Sequence, residues 1–112
     1  MINEEDKEII INCAKKYNAA SVYLFGSSLI DYNKAHDIDL AVKGVLPKLF
    51  FKFYGELIRN LSKPVDLIDL SKKTLFNRFI EKKAIKIYGW TIWIRIGRIN
   101  EFIEIYPMIL PI

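Results

Sequence analysis

The chain is poor in the residues that staple or anchor small proteins. Its 112 residues include a single cysteine, Cys13, so no internal disulfide can form. Cys13 instead falls on the apolar face of a predicted first helix, where a buried core residue is expected. No run of about 18 uncharged apolar residues occurs, which excludes a membrane-spanning helix. The N-terminal stretch Met1-Ile2-Asn3-Glu4-Glu5-Asp6 is acidic, unlike a secretory signal. Together these features point to the cytoplasm. There is one histidine, His36, and no Ser-His-Asp arrangement to make Ser28 a nucleophile. Internal repeats and low-complexity segments are also lacking.

What is present is apolar. Residues of the hydrophobic class make up 52% of the chain and aromatics 13%, which suits one folded domain with a modest core and argues against disorder. The net charge of +4 permits anionic partners without requiring them.

The most informative stretch is Tyr23-Leu24-Phe25-Gly26-Ser27-Ser28, separated by nine residues after Ser27 from Asp37-Ile38-Asp39-Leu40. An apolar run ends in a Gly-Ser turn; a second apolar run carries two aspartates one residue apart. On a strand, side chains alternate faces, so Asp37 and Asp39 point the same way. Paired carboxylates repel unless a cation or a proton joins them, and hard divalent cations such as Mg²⁺ take oxygen ligands of this kind. Gly26 permits a sharp bend and close approach of a ligand to the backbone. A helix starting at Ser27 or Ser28 would present its positive end to a phosphate.

The chain in order predicts a helix over residues 3–18, N-capped by Asn3, with Glu4, Glu5 and Asp6 in its first turn. Strands are predicted over 21–25, 37–43 and 65–70, and one helical turn over 28–32. Pro47 opens a helix whose apolar positions, Leu46, Leu49, Phe50, Phe53, Tyr54, Leu57, Ile58 and Leu61, repeat every 3.6 residues. A last helix over 72–88 is expected after a Ser71 cap, burying Leu75, Phe76, Phe79, Ile80, Ala84 and Ile87 and ending at Gly89. In the tail, Ile92, Ile94 and Ile96 alternate as in a strand, whereas Ile99, Phe102, Ile103 and Tyr106 fit a helix. The tail is apolar enough to need cover from its own domain or from a partner. The expected fold is α+β, a small sheet backed by helices. The third strand adds Asp66 and Asp69, which face opposite sides, so only one can join Asp37 and Asp39. Asp66, nearer the strand's start, is favoured and Asp69 is the alternative. Three such carboxylates could hold two divalent cations for phosphoryl transfer.

Gly26-Ser27, nine intervening residues, Asp37-Ile38-Asp39 and then a strand with Asp66 resemble the minimal nucleotidyltransferases of the DNA polymerase β-like superfamily. The likeness covers residues 1–89, the expected nucleotidyltransferase domain; residues 90–112 are an extension without a counterpart. It implies a mixed sheet backed by helices, with Gly26, Ser27 and Ser28 holding the triphosphate of ATP. It also implies Asp37, Asp39 and Asp66 as catalytic residues that bind two Mg²⁺ ions, Asp66 also serving as base. Many members are antitoxins paired with HEPN-domain ribonuclease toxins and transfer AMP to a toxin tyrosine, so a toxin partner and a homo- or hetero-oligomer are implied, with no nucleic acid as direct substrate and no membrane. Relatives usually carry an arginine and a further glycine after the Gly-Ser pair. Here Ser28-Leu29-Ile30-Asp31-Tyr32 has neither, and Lys34 and His36 are the nearby cationic candidates. This departure motivates the alternative of a weakly active or inactive relative that neutralises its toxin by binding. Transfer to a small molecule such as an aminoglycoside is disfavoured, since so small a domain has little room for an acceptor pocket.

Overall fold

A computed structural model describes residues 2–89 with their side chains, and the backbone of residues 92–96 and 101–105. Helix α1 (Glu4–Lys16) starts where Asn3 accepts a hydrogen bond from Asp6 N–H at 2.8 Å, and it ends in Lys15 and Lys16, as the dipole favours. Strand β1 (Ser21–Phe25) leads through Gly26 into the one-turn helix α2 (Ser27–Ile30). Strand β2 (Ile38–Lys43), helix α3 (Pro47–Asn60) and strand β3 (Val65–Asp69) follow. Then come helix α4 (Leu75–Lys83) and strand β4 (Ile85–Gly89). Strands β5 (Ile92–Ile96) and β6 (Glu101–Ile105) pair with each other in a separate antiparallel ladder.

The main sheet has the order β3-β2-β1-β4. It is mixed: β1 runs antiparallel to β2 and β4, while β2 and β3 are parallel. Period-two alternation sends Val22, Leu24, Ile38, Leu40, Val42, Val65 and Leu67 to one face. There they pack with Ile10, Cys13 and Ala14 of α1 and Phe53 and Leu57 of α3. Among the described residues, the opposite face is only partly covered. Ile80 of α4 packs on Tyr23, Ala41 and Leu70, flanked by Phe25, Ile68 and Ala84.

The expected helix over 72–88 is corrected in three ways. Thr74, not Ser71, is the cap, accepting from Asn77 N–H at 3.0 Å. The helix stops at Lys83, and residues 85–89 are strand β4, closing the otherwise open side of β1. An unpaired strand edge is costly beside a core, and Ile85-Lys86-Ile87-Tyr88 can alternate as well as coil. Third, the buried stripe is narrower than periodicity suggests: Leu75, Phe76 and Phe79 are 85%, 57% and 57% exposed. Leu46, the residue that precedes α3, and Ile58 within it belong to the predicted stripe and are likewise exposed. Strand β3 ends at Asp69, one residue before the expected boundary. In the tail, β5 agrees with the alternating isoleucines. Phe102 and Ile103 lie in strand β6 rather than a helix, while Ile99 and Tyr106 fall outside the described residues. No described helix is long and apolar enough to cross a membrane.

Two polar clusters brace this framework. Asp6, 2% exposed, accepts from Ser62 N–H at 3.2 Å, from the Ser62 and Tyr32 hydroxyls, and from Asn3 Nδ2 at 3.3 Å. Burial by itself pushes the Asp6 carboxyl up, but these hydrogen bonds outweigh it and leave the group below the ordinary carboxylate value. Glu56 of α3 meets α1 through an ion pair with Lys16 and hydrogen bonds from Tyr17 at 3.2 Å and Cys13 at 3.4 Å. Burial, and then Glu56, push the buried Cys13 thiol up to about 11.

Candidate active site

The site forms where β1 ends and β2 begins. Phe25, the last residue of β1, is the cross-strand partner of Asp39. Gly26 then takes φ +69°, the left-handed region that side chains resist. A Cβ on Gly26 would overlap the Asp39 carboxylate, with Asp39 Cγ 3.0 Å away. The turn therefore uses glycine for two reasons, backbone conformation and room for Asp39.

Ser28 locks the turn in place. It is buried; its hydroxyl donates to Phe25 C=O at 2.8 Å and accepts from Asp39 N–H at 3.1 Å. Its side chain thus ties the end of β1 to the aspartate strand. Gly26 and Ser27 are exposed beside it.

The parallel register of β2 and β3 sets Asp66 directly beside Asp39. In-register neighbours share a sheet face, so both carboxylates stand on the face opposite the main core. Asp37, exposed just before β2, adds a third negative charge. The electrostatics record the crowding. Burial raises the Asp39 carboxyl above its ordinary value, and the charges of Asp66 and Asp37 raise it further. Asp69 lies elsewhere: it pairs in register with Val42, and its Oδ1 accepts from Ser71 N–H at 2.9 Å. Its carbonyl accepts from Asn77 Nδ2 at 3.2 Å, so Asp69 shapes the turn into α4.

Among the described residues, no three His, Cys, Asp or Glu side chains are gathered tightly enough to form a closed cation site. The carboxylates are near enough to feel one another yet do not close, as like charges do by themselves. The all-oxygen donor set and the raised Asp39 carboxyl fit a hard divalent cation.

The cationic candidates Lys34 and His36 are both exposed in the loop between α2 and β2. Reading the sequence missed the lysine that fixes this loop. Lys63 Nζ donates to the carbonyls of Tyr32 and, at 2.9 Å, Ala35, and sits 4.5 Å from the Tyr32 ring centroid. The sequence marks Lys63-Pro64 only as a break; in the fold this turn abuts β2, where Pro64 C=O accepts from Ile38 N–H at 2.8 Å. A cavity of about 530 Å³ lies at the far end of β2, lined by Lys43, Lys72, Lys73, Asn77, Arg78 and Glu81 among others. It is not the carboxylate site, since Asp37, Asp39 and Asp66 take no part in its lining.

Comparison with known proteins bears on the family and the fold. A family model described as polymerase beta, nucleotidyltransferase, matches residues 7–90. Among solved structures, a toxin–antitoxin MntA-HpeT mutant is similar at 25% identity and TM-score 0.63, over 80% of this chain and 75% of that one. A toxin–antitoxin structure with AMP-PNP shares 24% identity over 75% of this chain and 73% of that one, at TM-score 0.60. A tri-AMPylated Shewanella oneidensis HEPN toxin in complex with MNT antitoxin shares 24% identity, at TM-score 0.59, over 76% of this chain and 71% of that one. Among curated proteins, none matches the chain by sequence.

Proposed function

We propose, from the premise that this chain belongs to the polymerase beta nucleotidyltransferase family, that it transfers AMP from ATP to a protein hydroxyl and acts as the antitoxin of a HEPN-type toxin. The acceptor is a toxin tyrosine. The observation that carries the reading is the Asp39–Asp66 register pair beside the Gly26 turn. The partner class is supported by structural neighbours described as toxin–antitoxin complexes, one with an AMPylated toxin. In this reading residues 1–89 are the nucleotidyltransferase domain, residues 90–112 are an extension, and the protein works in the cytoplasm.

Gly26 and Ser27 receive the triphosphate at their exposed backbone, and Ser28 keeps that backbone in register with Asp39. Asp37, Asp39 and Asp66 would hold Mg²⁺, which supplies charge neutralisation at the phosphates and at the leaving pyrophosphate. Asp66, the more exposed of the register pair, accepts the proton of the incoming hydroxyl. The hydroxyl oxygen attacks the α-phosphorus in line, forming the new P–O bond as the bond to the bridging oxygen of pyrophosphate breaks. With Asp37 and Asp66 exposed, the acceptor protein itself excludes water when it docks. Positioning and electrostatic stabilisation supply most of the acceleration.

The test is transfer of label from α-labelled ATP to a cognate toxin in the presence of Mg²⁺. Transfer that disappears in the Asp37→Ala plus Asp39→Ala variant is the expected result. Transfer that persists in that variant refutes the catalytic reading. Neutralisation of the toxin in cells by the same variant would instead favour the binding-only alternative, which the missing arginine after Ser28 motivates.

A further inference from the structure

Helix α4 has two flanks of different chemistry, and the sheet fixes where each one looks. The helix seats on the sheet through Ile80 and Ala84, with buried Asn77 in the same stripe. Glu81 pairs with Lys43 at 2.5 Å, so the flank carrying Arg78 and Glu81 turns toward the C-terminal end of β2. The opposite flank carries Phe76 and Phe79, and turns toward the N-terminal half of β2. Along that strand face, Ala41 lies beneath α4, and Asp39 is two residues further on, about 7 Å away. The floor between helix and carboxylates includes Phe25 beside Asp39 and Ile68 beside Ala41, both partly buried. Phe76 and Phe79 are each 57% exposed, which leaves much of each side chain uncovered.

We infer that the Phe76–Phe79 flank of α4 is the platform on which the nucleobase of the bound nucleotide stacks. The inference rests on the carboxylate site holding the α-phosphate. Given that, a ribose bridges the step from Asp39 and Asp66 to the helix flank, and the base arrives at exposed aromatic side chains instead of water. Phenylalanine offers no hydrogen bond to read a base edge, so the platform selects by stacking area. It favours purine over pyrimidine nucleotides and separates adenine from guanine weakly. It also gives a role to two aromatic residues that make little contribution to the core.

The experiment compares binding of ATP and of inorganic tripolyphosphate, each with Mg²⁺, to the full chain and to Phe76→Ala, Phe79→Ala and Phe76→Trp. Expected is a loss of about tenfold in ATP affinity on removing an aromatic ring, with tripolyphosphate affinity unchanged and the Trp variant at or above the parent. Equal weakening of ATP and tripolyphosphate overturns the inference, because the substitution then acts on the phosphate site or the fold. Unchanged ATP affinity in both Ala variants, with a raised KM for the protein acceptor, overturns it too and makes the flank an acceptor dock. If the parent binds ATP no better than tripolyphosphate yet still transfers AMP, the platform is refuted and the transferase reading stands. If the parent binds neither ligand, the carboxylate-site reading fails and the platform with it.

Discussion

Replacing Asp39 by Asn should make the metal-free protein more stable. Asp39 and Asp66 are in-register neighbours on adjacent strands, with Asp37 one residue before β2. Two unit charges about 5 Å apart at an effective dielectric of about 20 repel by about 3 kcal/mol. Asp66 is exposed, and water and salt reduce this to about 1 kcal/mol. Asn keeps the shape and removes the charge, so Asp39→Asn should raise Tm by about 4 °C in a domain of this size. The sign follows from linkage. Burial, and then Asp66 and Asp37, raise the folded Asp39 carboxyl. The folded state therefore holds that proton more tightly than the unfolded chain does. Its stabilising contribution is complete below the unfolded value and is lost as pH rises through the raised folded value. The gain from Asp39→Asn should thus be largest at neutral pH and shrink on acidification. Mg²⁺ should stabilise the parent and have little effect on the variant. Thermal unfolding followed by circular dichroism, with and without Mg²⁺ at neutral and acid pH, reads all three effects. A variant less stable than the parent at neutral pH, or equally stabilised by Mg²⁺, would refute the reasoning.

Other perturbations probe the supports of the site. Gly26→Ala sets a Cβ into the Asp39 carboxylate at φ +69°; it should cost about 1–3 kcal/mol in urea unfolding and abolish nucleotide binding. Asp6→Ala removes the acceptor shared by Ser62, Tyr32 and Asn3, with an expected loss of about 3 kcal/mol as buried donors lose a charged partner. Asp6 also predicts an acid limb of opposite sign to Asp39: its folded value is lowered on balance, so its stabilisation is present above the unfolded value and lost as pH falls through the folded one. Cys13, buried and raised to about 11, should resist alkylation in the native protein at neutral pH and react on unfolding, as mass spectrometry would show.

Local punctuation made much of the fold legible. Gly26, Gly44 and the Lys63-Pro64 turn bound short apolar runs that form β1, β2 and β3, and Pro47 opens α3. That the sheet is mixed and polymerase β-like was expected from the resemblance, since strand directions do not follow from those elements alone. The neighbouring positions of Asp39 and Asp66 were not visible in spacing alone, because they depend on parallel register between strands separated by α3. The same is true of the Asp6 cluster. Asp6 reads as a first-turn acid serving the helix dipole, but its partners Tyr32 and Ser62 are 26 and 56 residues away. Ser28 reads as a phosphate contact, and the fold shows its hydroxyl bridging two strands.

The narrower buried stripe of α4 has a physical origin of its own. Helical periodicity reports which residues share a face, but not how wide an arc of that face the sheet can cover. In α4 the covered arc passes through Asn77, Ile80 and Ala84, and one of these three is polar. Asn77 is buried because its Nδ2 holds Asp69 C=O at 3.2 Å and Lys72 C=O at 2.6 Å, fixing the turn that leads from β3 into α4. The apolar residues Leu75, Phe76 and Phe79 are correspondingly displaced to the flank. A sequence that spends a buried helix position on asparagine while leaving two phenylalanines in solvent is at odds with stability alone. On the inference above the two choices are coupled: the Asn77 turn helps fix how α4 sits on the sheet, and Phe76 and Phe79 then fall on the flank away from Glu81. Asn77→Leu should therefore do more than alter stability. By releasing the turn it should rotate or loosen α4 and weaken ATP binding while Asp39 and Asp66 remain intact.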